Sequence, residues 1–247
     1  MNDVYQLSRR DYDAVIFDLD GVITDTAKTH FRAWKEVFDE CLRRLEGEDY
    51  IPFSQLDYQR FVDGKPRHDG IRSFLSSRGV TLAEGPEKAS PGYDSVGALG
   101  AEKNRRYQQR LVRGEIDILR DSLELVRQLR RAGFALGLVS SSRNAALVLE
   151  LLAIDTYFDV RVDGITLAED GMRGKPAPDM FVDAARRLGV PPKRAVVVED
   201  AESGVEAGRA GGFGLVIGLA ADDDQRQTLR DKGAHIAVDS LGVFEVI

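Results

Sequence analysis

The chain has 247 residues, 43 % hydrophobic and 30 % charged, with 34 basic against 41 acidic side chains and a net charge of -7. Such a composition can bury a sizeable core, while the acidic balance argues against nucleic-acid binding, which needs a basic surface to displace counterions. A lone cysteine, Cys41, rules out an internal disulfide and fits a reducing compartment.

Met1 to Asp13 is polar and mixed in charge, without the apolar stretch of a signal peptide. No later segment approaches a membrane span, so the expected location is cytoplasmic. Ala14 to Phe17 is a short β-branched run that stops on Asp18, the pattern of a strand buried on both faces of a parallel sheet. From residue 27 to 116 the pattern turns helical. Phe31, Trp34, Phe38, Cys41 and Leu45 mark one face, and further helices are predicted over Ser54–Phe61, Arg67–Arg78 and Ser95–Val112. A loop rich in Gly and Pro, Glu84–Gly92, interrupts them, and no strand is expected in this stretch. Strand and helix then alternate. A helix over Ser122–Arg131 leads to a strand over Phe134–Val139 that ends in Ser140–Ser142, followed by helices over Asn144–Leu152 and Asp179–Leu188. A strand over Ala195–Val198 runs into Glu199-Asp200, then come a helix over Ala201–Ala210 and a strand over Phe213–Ile217. The predicted architecture is an α/β fold: a doubly wound parallel-sheet, Rossmann-like core of residues 1–26 and 117–247, with an inserted α-helical cap of residues 27–116. An insert beside an active loop is well placed to act as a lid.

Ligands in doubly wound sheets sit at the carboxyl ends of the strands, where Asp18, Ser140, Glu199 and Asp200 fall. In an extended segment residues two apart point the same way, so Asp18 and Asp20 can face one pocket, with Gly21 permitting a sharp turn. Alone, Asp-x-Asp-Gly equally suits a plain turn or a calcium loop, but the later ligand spacing of a calcium loop is absent after Asp20. Four carboxylates in one crevice repel one another unless a cation is present. Magnesium, small, hard and oxygen-liganded, is the expected cofactor. Lys175, just before a helix, is by itself an ordinary solvated lysine, and its Gly-Lys-Pro setting is not a Walker loop. Ser140 to Asn144 would cap a helix or bind phosphate through hydroxyls, amides and the helix start; the two roles are compatible.

Together these segments resemble the haloacid dehalogenase superfamily, in its phosphatase and phosphomutase branch. Four motifs follow in the family's order, Asp18-Leu-Asp20-Gly-Val, Ser140, Lys175 and Glu199-Asp200, and they span essentially the whole chain. The resemblance tightens over Phe17 to Ala27, His30 to Lys35, Ser140 to Asn144 and Lys175 to Asp179. It implies that Asp18 attacks the phosphoryl group to form an aspartyl-phosphate and that Asp20 is the general acid and base. It implies magnesium held by Asp18, Asp20 through its carbonyl, Glu199 and Asp200, with Ser140 and Lys175 on the phosphoryl oxygens. A mutase must also hold the phosphate that is not transferred, and the resemblance gives this task to Arg67 in the cap and to Ser142, Arg143 and Asn144 in the core. Thr26, His30 and Trp34 share one helix face and are expected near the substrate, although a core-facing stripe explains Trp34 equally well. Gly64 and Lys65 complete the cap loop. The chain departs from the family where Asp63 replaces an expected lysine, where Ile118 to Ser122 replaces a Pro-Gly linker, and where the cap lengthens over Thr81–Gly100. The implied substrate is a small sugar phosphate, with β-glucose 1-phosphate and glucose 6-phosphate interconverted through a bound bisphosphate, or a sugar phosphate hydrolysed instead. A monomer without nucleic-acid or membrane partners is expected.

Overall fold

A computed structural model describes residues 4–62, 65–86 and 89–247. In chain order the elements are β1 (Tyr5–Leu7), β2 (Ala14–Asp18), β3 (Thr24–Asp25), α1 (Ala27–Glu46), α2 (Gln55–Asp57), α3 (Arg67–Ser77) and α4 (Val96–Val112). There follow β4 (Asp117–Ile118), α5 (Arg120–Arg131), β5 (Ala135–Val139), α6 (Ala145–Leu151), β6 (Val160–Val162), α7 (Gly164–Glu169) and α8 (Asp179–Arg187). The last are β7 (Ala195–Glu199), α9 (Glu202–Ala210), β8 (Leu215–Leu219), α10 (Asp223–Asp231), β9 (Ile236–Val238) and β10 (Phe244–Val246). The chain divides into two compact units, residues 1–25 with 117–247, and residues 26–116.

The first unit is built on a six-stranded sheet in the order β6-β5-β2-β7-β8-β9, with every neighbouring pair parallel. Each residue of β2, β7 and β8 is buried, which is why these segments read as unbroken apolar runs. Ala14, Ile16, Val197 and Val216 share a core with Met180 and Phe181 of α8 and Val205 of α9. The alternate residues Val15, Phe17, Val196 and Val198 are equally buried, so both faces are covered. From the central β2 the chain builds outward to β5 and β6, then returns to the other side of β2 for β7, β8 and β9. The order therefore reverses between β5, β2 and β7, the position at which a crevice opens beyond the strand ends. Two short pairings went unread in the sequence. β1 runs parallel to β10, and β3 runs antiparallel to β4, joining the two chain segments where the helical unit is inserted.

The second unit is helical, and α4 packs on both α1 and α3. Trp34, Phe38 and Cys41 of α1 meet Phe53, Phe74 of α3 and Leu99 of α4 in its core. The rings of Trp34 and Phe38 stack 5.0 Å apart, and Phe38 and Phe74 lie 4.3 Å apart. Leu45, expected on this face, is 51 % exposed, because it borders an open cavity rather than the packed core. The helix expected over Ser54–Phe61 is a single capped turn, α2, followed by one wide turn over Tyr58–Val62. Among the described residues no helix is long and apolar enough to cross a membrane.

Candidate active site

Asp18 is the last residue of β2 and is 6 % exposed. Gly21, three residues on, has φ +90°, and its amide donates to the Thr24 carbonyl at 2.7 Å. That turn carries the chain back over the strand end, and only a residue tolerant of positive φ makes it without strain. Ser140 follows β5 and Glu199 ends β7, so three adjacent strands deliver three of the expected residues to one edge.

Lys175 reaches this edge from the loop before α8. Its Nζ is 2.5 Å from both Asp18 Oδ1 and Glu199 Oε1, and it lies 5.0 Å above the Phe181 ring. The loop is clasped at its base. Arg173 donates from Nη2 to Asp179 Oδ1 at 2.7 Å, and from Nε and its amide to Oδ2 at 3.1 Å. These hydrogen bonds hold the Asp179 carboxyl down at a pKa of about 2. Neither Arg173 nor Phe181 was singled out in the sequence. An Arg six residues before an Asp at a helix start was the available signal for the clasp.

Glu199, expected among the metal ligands, also has protein partners. Its Oε2 accepts the amides of Asp200 and Ala201 at 2.9 and 2.8 Å, while Oε1 faces Lys175. Its carboxylate thus organises the loop after β7 and anchors the lysine. Asp200 is turned elsewhere, against the α-carbon of Gly21, which draws the second acidic loop onto the first.

The charges do not balance. Burial, with the Glu199 and Asp20 charges, pushes the Asp18 carboxyl up to about 8 against the pull of Lys175. Burial and the charges of Glu199 and Asp18 raise Asp200 well above the usual carboxylate range. Burial opposes the Lys175 ammonium, but the Asp18 and Glu199 carboxylates outweigh it and raise its pKa. With one ammonium among them, full ionisation of Asp18, Asp20, Glu199 and Asp200 would leave an excess of negative charge, and oxygen donors of this kind suit a hard divalent cation that offsets it. Among the described residues no three His, Cys, Asp or Glu side chains form a ready-made metal cage. The donor set nevertheless fits magnesium, with Asp18, Glu199 and Asp200 as the expected side-chain ligands and the Asp20 carbonyl as the expected main-chain oxygen.

The segment after β5 is a run of turns. Ser140 Oγ accepts the Ser142 amide and Ser142 Oγ accepts the Asn144 amide, each at 3.1 Å. Ser140 is buried, with its hydroxyl 3.4 Å from Asp20 Oδ2. Asn144 is buried, whereas Arg143 is exposed.

In the helical unit, Thr26 is buried at the start of α1. His30, one turn on, stacks on Tyr107 of α4 with the rings 4.1 Å apart. Its Nδ1 lies 2.7 Å from Nζ of Lys103, an α4 lysine that is itself 4 % exposed and sits over the Trp34 and Tyr107 rings. Since an ammonium only donates, Nδ1 accepts and the proton of the neutral ring belongs on Nε2. Burial, then the Lys103 and Arg67 charges, hold the His30 pKa well below its ordinary value. Trp34 packs in the cap core at 5 % exposure. Arg67 opens α3, and its Nη2 donates to Asn104 Oδ1 at 2.9 Å. Lys65 donates to Ser73 at 2.8 Å on the surface. Asp63 and Gly64 lie outside the described residues. Lys103, Asn104 and Tyr107 escaped the sequence reading, although their spacing on α4 was visible. A cavity of about 650 Å³ elsewhere in this unit is lined by Cys41, Arg44 and Tyr93, and by none of the expected site residues.

The haloacid dehalogenase-like hydrolase family model matches residues 12–212. A β-phosphoglucomutase of Mycobacterium tuberculosis (strain CDC 1551 / Oshkosh) is 43 % identical over 234 residues, covering 92 % of this chain and 89 % of the relative. A phosphorylated carbohydrates phosphatase of Thermotoga maritima is 29 % identical, covering 95 % of this chain and 98 % of the relative. Among solved structures, a β-phosphoglucomutase from Clostridium difficile superposes with a TM-score of 0.70 at 27 % identity, covering 94 % of this chain and 92 % of that one.

Proposed function

The chain belongs to the haloacid dehalogenase-like hydrolase family, and we propose that within it the protein is a magnesium-dependent β-phosphoglucomutase. It would interconvert β-glucose 1-phosphate and glucose 6-phosphate through an aspartyl-phosphate and a bound glucose 1,6-bisphosphate. The observation that carries phosphoryl transfer is the buried Asp18 at a strand end, 2.5 Å from Lys175 and beside Asp20.

In this reading an Asp18 oxygen bonds to phosphorus as the bond from phosphorus to the sugar oxygen breaks. Asp20 gives its proton to the departing oxygen, then takes one from the hydroxyl that receives the phosphoryl group in the second half. Lys175 and Ser140 hold phosphoryl oxygens at positions fixed before the reaction begins, so little reorganisation is needed as charge shifts. Bound magnesium supplies positive charge that keeps the acidic cluster ionised and offsets charge on the transferring group. Glu199 keeps the Lys175 ammonium in place. Arg67, with Ser142, Arg143 and Asn144, is assigned the phosphate that is not transferred, and Thr26, His30, Trp34, Gly64 and Lys65 the remaining contacts to the substrate.

The mycobacterial relative supports the mutase. The Thermotoga relative supports a second reading, a sugar-phosphate phosphatase in which water takes the phosphoryl group. Both share the first displacement, so one assay separates them. With magnesium, β-glucose 1-phosphate and a trace of glucose 1,6-bisphosphate, a mutase yields glucose 6-phosphate without free phosphate. Stoichiometric release of free phosphate would replace it with the phosphatase.

A further inference from the structure

Helix α4 carries Gly100, Lys103, Asn104 and Tyr107 at the spacing of one helix face. Two of them shape Arg67. A β-carbon at residue 100 would press on the His68 ring at 2.8 Å and come within 3.4 Å of Arg67 Cδ, so Gly100 leaves room for the start of α3 beside this face. One turn on, Asn104 Oδ1 receives Arg67 Nη2 at 2.9 Å. One corner of the guanidinium is therefore held by α4, which helps to orient the fork.

We propose that Asn104 is a positioning residue that orients Arg67 for the phosphate not undergoing transfer, and so sets selectivity for sugars bearing two phosphates. The proposal rests on the assignment of Arg67 above and adds how that arginine is aimed. The choice of a neutral acceptor matters. A guanidinium recognises phosphate through parallel hydrogen bonds, so its plane must be set in advance. A carboxylate at residue 104 would hold that plane equally well but neutralise the charge that draws the phosphate. An amide oxygen orients the fork without adding a negative charge beside it.

The test compares wild type with Asn104→Ala, Asn104→Asp, Arg67→Ala and the double variant Arg67→Ala/Asn104→Ala. Two quantities are read with magnesium present: the concentration of glucose 1,6-bisphosphate giving half-maximal mutase rate, and kcat/KM for acetyl phosphate, which has no second phosphate. Alanine is the better helix former, so α4 is retained, and turnover of acetyl phosphate reports a folded core in each variant. Loss of an oriented, charge-assisted hydrogen bond should raise the bisphosphate requirement roughly tenfold in Asn104→Ala. The rise should be larger in Asn104→Asp, although that variant keeps the shape and the acceptor, and acetyl phosphate turnover should fall far less in both. The double variant should be no worse than Arg67→Ala alone. A wild-type bisphosphate requirement in both Asn104 variants, an isosteric rescue by Asn104→Asp, or additive losses in the double variant would overturn the proposal while leaving Arg67 as the phosphate ligand. A wild-type requirement in Arg67→Ala would remove the second-phosphate assignment itself, and the role of Asn104 with it.

Discussion

Gly21 and Asp200 occupy adjoining space: a β-carbon at residue 21 would run into the Asp200 carboxylate. The turn after the first acidic strand and the loop after the second are thus fitted to each other at a single missing methyl group. Gly21→Ala should force Asp200 away and strain the backbone at φ +90°, at a cost on the order of 1–2 kcal/mol for an L-residue in that region. The expected outcome is a lower urea midpoint together with loss of most magnesium affinity, measured by calorimetric titration. Unchanged magnesium binding would show that Asp200 is not held in place by this contact.

Asp18→Asn should abolish turnover and the covalent intermediate, since an amide is a poor nucleophile. Lys175 keeps its contact with Glu199 at 2.5 Å, so the loop before α8 should stay in place. Phosphoprotein trapping by rapid acid quench is the direct check. A trapped phosphoenzyme in this variant would move the nucleophile to another residue.

Asp20→Asn should lower kcat by about 10²–10⁴-fold, the usual effect of losing a general acid and base. Magnesium affinity should survive, because the expected ligand at this position is a main-chain oxygen. Collapse of magnesium binding alongside kcat would show instead that the Asp20 side chain is needed to hold the metal.

The parts of the fold legible in the sequence were those whose side chains see one uniform environment. β2, β7 and β8 are buried throughout, so apolar runs ending on Asp18 and Glu199 marked both the strands and the edge that carries the candidate site. Edge elements were harder. β6 and β9 have three residues each, too few for a periodicity to show, and β1 and β10 pair across nearly the whole length of the chain, which no local pattern announces. The same limit applies to the site. Asp18 and Lys175 were recognisable from motifs, but the face that Glu199 presents depends on where the Lys175 loop folds back, and that is a tertiary fact. Lys103 and Asn104 lie in a polar helix among several charged residues, and only the packing of α4 on α1 and α3 distinguishes them from solvated neighbours.

His235 provides a test of stability against pH. Its Nδ1 accepts the Val216 amide at 2.9 Å, and Arg209 Nη1 lies 2.7 Å from Nε2. Burial and the Arg209 charge lower its pKa from the ordinary value of 6.5. The unfolded chain therefore takes up this proton more readily than the folded one. The stabilising contribution is complete above the unfolded pKa and is lost as pH falls through the lower folded value. Wild type should lose more stability than His235→Gln when acidified from about pH 7.5 to about pH 5.5, judged by urea midpoints. Parallel profiles for the two proteins would contradict this account of the Arg209–His235 pair.

Lys103 gives the last prediction, in which the cap and its histidine are read together. The lysine is almost wholly buried, over two aromatic rings and 2.7 Å from His30 Nδ1. Two influences besides burial lower the His30 pKa, the charges of Lys103 and Arg67. Lys103→Met removes the nearer charge, while a flexible thioether keeps the volume and packs well against Trp34 and Tyr107. The His30 pKa should therefore rise relative to wild type, yet stay below the ordinary histidine value because burial and Arg67 remain. Proton NMR of the His30 ring, assigned by comparison with a His30→Gln variant, measures this directly. In wild type the ring should stay neutral across the physiological range, and in Lys103→Met its titration should shift to higher pH. If this contact makes His30 and Lys103 one functional unit, Lys103→Met and His30→Gln should lower mutase kcat/KM by similar factors and the double variant should be little worse than either. An unmoved His30 titration would break the electrostatic link between the two residues. Fully additive losses would break the functional one, leaving His30 and Lys103 as independent parts of the cap.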